Sequence, residues 1–136
     1  MGLEMIDTVA FEQALTAWFA ARLDLTVDAE IFRGALPVGE SSAAAVIIDG
    51  STVYDDIRPT EYNVQILGRY EDRDDACRLL DGVAALVPAY GVVVGDCRLA
   101  YLLTVGTGMP YVSGVGGTLR YYASYNLRCA PRPIRI

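Results

Sequence analysis

An α+β fold is predicted: a mostly antiparallel sheet of four to five strands with two helices packed on one face, in the order α-β-β-α-β-β. Three observations carry this. Two segments, 4–22 and 72–88, place apolar residues at helical spacing; two others, 61–70 and 118–129, alternate with the two-residue period of a half-buried strand; and the helical segments are separated by runs of strands, the arrangement of an α+β sheet.

The first helix is read over Glu4–Arg22. Ile6, Ala10, Ala14, Ala17, Trp18 and Ala21 recur as a stripe that Phe11, Leu15 and Phe19 widen, while Asp7, Glu12, Gln13 and Thr16 form the polar side. "DLTVDAEIFRGALPVGESS" leads away as a long loop with room for one short strand. "AAAVIIDG" is a short strand closed by a turn, and "STVYDDIRP" is an exposed connection rich in turn formers. In "EYNVQILGRY", Tyr62, Val64, Ile66 and Tyr70 take one face; Glu61, Asn63, Gln65 and Arg69 take the other. The second helix starts from a cap at Asp72 or Asp74, carries the stripe Ala76, Leu79, Leu80, Val83 and Val87, and ends at Pro88. Gly82 costs about 1 kcal/mol there, which a close neighbouring element would justify.

"AYGVVVGD" reads as a turn or short edge strand. "CRLAYLLTVG" is apolar on both faces, as in a central strand covered on each side. "TLRYYASYNLRC" alternates most regularly: Leu119, Tyr121, Ala123, Tyr125, Leu127 and Cys129 inward; Thr118, Arg120, Tyr122, Ser124, Asn126 and Arg128 outward. Residues 1–130 thus form a single α+β domain, and 131–136 a basic, proline-containing tail.

The chemistry available is limited. The 136-residue chain has 17 acids, 11 basic residues and no histidine. All the basic residues are arginine, so Schiff-base and Walker-lysine chemistry are excluded and the usual general base is missing. A net charge of −6 disfavours nucleic acid as the main partner, although "RCAPRPIRI" carries three arginines and no acid. No run reaches the roughly 20 apolar residues of a membrane span, and "MGLEMIDT" lacks the basic start of a signal peptide, so a cytoplasmic setting without membrane is expected. Cys77, Cys97 and Cys129 fit no disulfide framework or zinc spacing and read as buried free thiols.

"VGTGMPYVSGVGG" fails as a P-loop, which needs a lysine and a following helix, and as a dinucleotide fingerprint, whose third glycine is replaced by Tyr111. It reads as a flexible connection between antiparallel strands. "GESSA" lacks the last glycine of a nucleophile elbow and any histidine to activate Ser41 or Ser42. Asp55–Asp56 and Asp74–Asp75 are adjacent and point apart, so neither pair is a ready carboxylate dyad. No catalytic, cofactor or metal residues are assigned. The unusual feature is the polar face of the two best strands, Asn63, Gln65 and Arg69 on one and Arg120, Tyr122 and Arg128 on the other, rich in the arginine and tyrosine favoured at interfaces.

The chain also resembles the tail terminator, or minor capsid (tail completion), proteins of long-tailed bacteriophages and their prophages. The likeness runs from the Trp18 helix to Arg128 through "YNVQILGRYEDRDDA", a strand entering an acid-capped helix, and "MPYVSGVGGTLRYYASYNLRC", a proline–glycine loop feeding an aromatic strand. It implies a non-enzymatic subunit of a ring, commonly a hexamer, that caps the tail tube and meets the head-side connector in the virion tail after assembly in the host cytoplasm. Asn63, Gln65, Arg69, Arg120, Tyr122 and Arg128 are then candidate contacts with a neighbouring subunit or with tube protein, and "YDDIRPTE" a lumen or rim loop. The rival expectation is a ligand-binding or enzymatic domain with Gly106–Gly117 as a lid over Tyr111, Tyr121 and Tyr122.

Overall fold

The computed structural model describes residues 6–39, 41–52, 60–107, 111–113 and 119–134. Its elements in chain order are α1 (Thr8–Leu23), β1 (Ile31–Arg33), β2 (Ala43–Thr52), β3 (Glu61–Tyr70), α2 (Arg73–Ala84), β4 (Val93–Val94), β5 (Cys97–Thr107), β6 (Tyr111–Ser113) and β7 (Arg120–Pro133). The fold is α+β as expected, but its sheet is larger and mixed. Six strands run in the order β1-β2-β3-β7-β5-β4, with β6 beside β7. β1 pairs parallel to β2, and the other pairings are antiparallel. β1 and β4 fall where one short strand and a turn or short edge strand are expected, whereas the three-residue β6 escapes a period-based reading because so short a run carries no periodicity.

Cross-strand register explains the core. Tyr62, Val64, Ile66 and Gly68 of β3 stand opposite Cys129, Leu127, Tyr125 and Ala123 of β7, and all eight are buried. Both helices pack on this face. Phe11 of α1 meets Tyr62 with ring centroids 5.5 Å apart, and Leu79 of α2 lies where a Cβ on Gly68 would approach its Cδ2 to 2.5 Å. Gly82 has the neighbour it needs, since a Cβ there would come within 2.9 Å of Leu23 Cδ2 of α1.

α1 is capped by Asp7, whose side chain accepts the Ala10 N–H, and stops at Asp24 in the left-handed region, φ 56°. Its buried side differs from the predicted stripe. Phe11, Leu15, Trp18 and Phe19 are buried, whereas Ala10, Ala17 and Ala21 are exposed. Alanine has too little surface to orient a helix, and the large side chains decide the face. Thr16, read as polar surface, is buried with its hydroxyl donating to the Glu12 carbonyl at 2.7 Å, which satisfies it within the helix. α2 starts at the Asp72 cap, which accepts the Asp74 N–H at 2.8 Å.

β5 departs most from expectation. Register shifts between Leu99 and Leu102 and between Thr104 and Gly106 put Leu99 and Leu102 both in the core while Arg98, Thr104 and Val105 are exposed. Those exposed side chains show that β5 is not covered on both faces throughout, and its edge partner β4 has two residues. The Gly106–Gly117 segment is likewise not one loop. β5 continues through Gly106 and Thr107, and Tyr111–Ser113 resume pairing with β7 as β6. Nor does a tail begin at residue 131: β7 runs to Pro133, which pairs with Cys97, and the Ile134 N–H reaches the Asp96 carbonyl at 2.9 Å. The expected "YDDIRPTE" rim loop falls largely, and the Asp55–Asp56 pair wholly, outside the described residues.

Candidate interface on the outer sheet face

The face away from the helices is built from the other register rows: Asn63 opposite Arg128, Gln65 opposite Asn126, Leu67 opposite Ser124 and Arg69 opposite Tyr122. The structure therefore brings together all of the predicted contact residues except Arg120, which lies at the start of β7 and joins Glu71 at 3.3 Å. Antiparallel register places them, because two strands with the same period expose one common face.

These side chains are engaged with one another. Gln65 Nε2 donates to Ser124 Oγ at 3.1 Å. Arg128 Nε lies 3.4 Å from Glu61 Oε1, and the other carboxylate oxygen of Glu61 accepts the Tyr101 hydroxyl. Arg69 is withdrawn furthest. It is 5% exposed, and its guanidinium donates to the carbonyls of Ser41 and Pro37, each at 2.9 Å. Arg69 thus fastens the loop before β2 onto β3 and has no free surface to offer a partner. Period-two reading finds its face but cannot see a loop folding over it. Glu61 and Tyr101 belong to the same polar cluster; the period of β3 puts Glu61 on this face, whereas Tyr101 lies in a strand whose register shifts.

A solved structure of the virion of a native gene transfer agent (GTA) particle contains a chain similar to this one, with a TM-score of 0.51, 16% identity, and 93% of this chain and 95% of that chain covered. The two chains share a fold. At that identity the likeness is one of architecture, and it spans nearly the full length of both. No protein-family model matches the chain, and no curated protein matches it either.

The lid-and-pocket alternative finds little geometry to support it. Tyr121 and Tyr122 are successive residues of β7 and point to opposite faces, Tyr122 outward and Tyr121 toward the core, so they do not line one pocket. The side chain of Tyr111 lies outside the described residues. A cleft of about 520 Å³ does lie elsewhere, between the end of α1, α2 and Tyr70, bordered by Glu30, Asp75 and Arg78. Burial, then the charges of Asp75 and Glu30, push the Tyr70 phenol up to about 12, so it stays protonated there. Among the described residues no group of three or more Cys, Asp or Glu is arranged to hold a metal ion. No described helix is long and apolar enough to cross a membrane. Cys97 and Cys129 are buried free thiols as expected, and Cys77 is half-buried.

Proposed function

We propose that this chain is a structural subunit of a phage-type virion, and more specifically a tail terminator: a ring that caps the tail tube, stops further addition of tube subunits and presents its other side to the head-side connector. The observation that carries the reading is the outer sheet face. It carries hydrogen-bonding side chains from both of the long inner strands, interrupted at Leu67, on a fold shared with a chain of a virion particle over 93% of the sequence. The absence of histidine and lysine from the sequence agrees with a protein that works by surface complementarity rather than by catalysis.

Asn63, Gln65, Tyr122 and Arg128, with Arg120 at the strand start, are the contacts this reading assigns to a neighbouring subunit or to tube protein. Arg69 contributes indirectly by holding the backbone at Pro37 and Ser41. Light scattering coupled to size-exclusion chromatography, run on the chain alone and with purified tail-tube protein, tests the proposal. A ring-sized species in either sample is expected. A chain that stays monomeric in both and shows a saturable small-molecule thermal shift would sink it.

A further inference from the structure

Two corners of the molecule are oppositely charged, and each carries charged side chains that form no ion pair among the described residues. At one, Arg98 of β5 stands directly opposite Arg132 of β7, and the two border a groove of about 370 Å³ with Gly91, Leu99, Pro133 and Ile134. Like charges directly opposite on neighbouring strands repel. Arg98 Nη1 donates to the Gly91 carbonyl at 2.8 Å, but among the described residues neither guanidinium meets a carboxylate. Asp96, in the adjacent turn, is exposed and forms no ion pair among the described residues. Tyr90, Val93 and Ile134 are 67%, 48% and 40% exposed around them. An exposed apolar and arginine-bearing rim is the composition of an interface.

The other corner lies at the opposite end of β7, where Glu71 bridges to Arg120. There the α1–β1 connection meets the start of α2 across the cleft that Glu30 and Asp75 border. Asp75 is paired with Arg78 at 2.8 Å, and Arg22 stacks over the Trp18 ring at 4.0 Å. Asp24, Asp28, Glu30 and Asp74 form no ion pair among the described residues, although Glu30 Oε1 accepts the Thr26 N–H at 3.0 Å, and with Glu71, Asp72 and Asp75 these acids outnumber the nearby Arg22, Arg73, Arg78 and Arg120. Exposed Val27 and Leu119 give this corner an apolar component as well.

We propose that the Arg98–Arg132 groove of one copy docks on the acidic corner of the next copy, around Glu30 and Asp74, head to tail. The inference rests on the ring reading and supplies its subunit contact. Two different surfaces at opposite ends of one strand make a heterologous interface, and a heterologous interface closes into a ring when its rotation allows. Self-association through these charges also neutralises the unpaired groups that the isolated chain leaves in water, and it weakens as salt screens them over a Debye length of about 8–10 Å.

Charge exchange tests it. The R98E/R132E variant is expected to lose the ring mass in light scattering and elute as a monomer, with an unchanged far-ultraviolet spectrum because both arginines face solvent. Adding E30R/D74R to the same chain restores the pairing with reversed sign and is expected to restore the ring. If R98E/R132E assembles like the parent, the proposal is overturned. If it falls apart and the four-fold variant does not recover, the acidic corner of a second copy is not the occupant and the proposal is also overturned. A parent chain that forms no ring, alone or with tail-tube protein, removes the ring reading itself, whereas the first two failures leave that reading standing.

Discussion

Arg69 and Arg132 lie on neighbouring strands of one sheet and have opposite fates. Arg69 is 5% exposed, with its guanidinium held by two backbone carbonyls of the loop before β2. Arg132 is exposed, stands opposite a second arginine and touches no carboxylate among the described residues. Identical side chains thus serve the fold in one place and are left over in the other. A guanidinium that completes buried hydrogen bonds stabilises its own chain; one held next to a like charge makes better sense when something else arrives.

The largest effect expected from this contrast is at Arg69. Arg69→Ala removes two charge-assisted hydrogen bonds and leaves the Pro37 and Ser41 carbonyls without these donors, so unfolding in urea should show a loss of about 3 kcal/mol. Arg69→Lys should recover only part of it, because an ammonium cannot present the same planar fork. A loss below about 0.5 kcal/mol would show that the loop does not depend on Arg69, and the distinction between the two arginines would collapse.

A carboxylate works in the same structural sense at the sheet edge. β1 covers β2 only as far as Val46; beyond it the Ile48 N–H donates to Glu12 Oε2 at 2.9 Å, while Glu12 Oε1 holds Arg33 at 3.1 Å. Glu12→Ala uncovers that edge amide as well as breaking a partly exposed ion pair, so about 1–2 kcal/mol of stability should disappear. Hydrogen exchange at Ile48 should quicken in the variant and leave Val64 and Ile66 protected; unaltered exchange at Ile48 would contradict the assignment.

The third expectation concerns the core face behind Arg128. Burial first, then the charges of Glu61 and Cys97, push the Cys129 thiol from its ordinary 9.0 up to about 12. The unfolded thiol ionises from about pH 9 while the folded one stays protonated, so the unfolded state binds fewer protons in that window. Stability therefore has no contribution from this thiol below pH 9 and falls by about 1.4 kcal/mol per pH unit as pH rises from there toward 12. Denaturation midpoints of the parent should drop over this range, and Cys129→Ala should flatten the decline; equal slopes would mean that the thiol is not sealed in the core.

How much of this could be read from the sequence depended on what each feature rests on. β3, α2 and β7 were legible because each has ten or more residues whose large apolar side chains repeat with one period. The face of α1 was not, since its alanines satisfy the helical spacing without deciding which side is buried. β5 defeated alternation because its register shifts bring Leu99 and Leu102 to the same face. Of the candidate interface, the polar rows of β3 and β7 follow from local pattern, and they were found. The burial of Arg69 depends on Pro37 and Ser41, and the opposition of Arg98 and Arg132 depends on which strands pair; both are properties of contact between distant segments, with no trace in either segment alone.

The smallest effect should come from Arg132. Arg132→Ala removes an exposed side chain with no ion pair among the described residues and relieves the repulsion from Arg98, so the isolated chain should change by no more than about 0.5 kcal/mol, in the stabilising direction if the repulsion dominates. Self-association should respond instead, with the ring dissociating at lower salt than the parent. A substitution that leaves folding unmoved but weakens assembly is the opposite of what Arg69→Ala should do, where folding weakens first and assembly only through it. If both variants lost stability in parallel, the groove would be part of the fold's own support, and the reason for leaving two arginines face to face would have to be sought inside the chain.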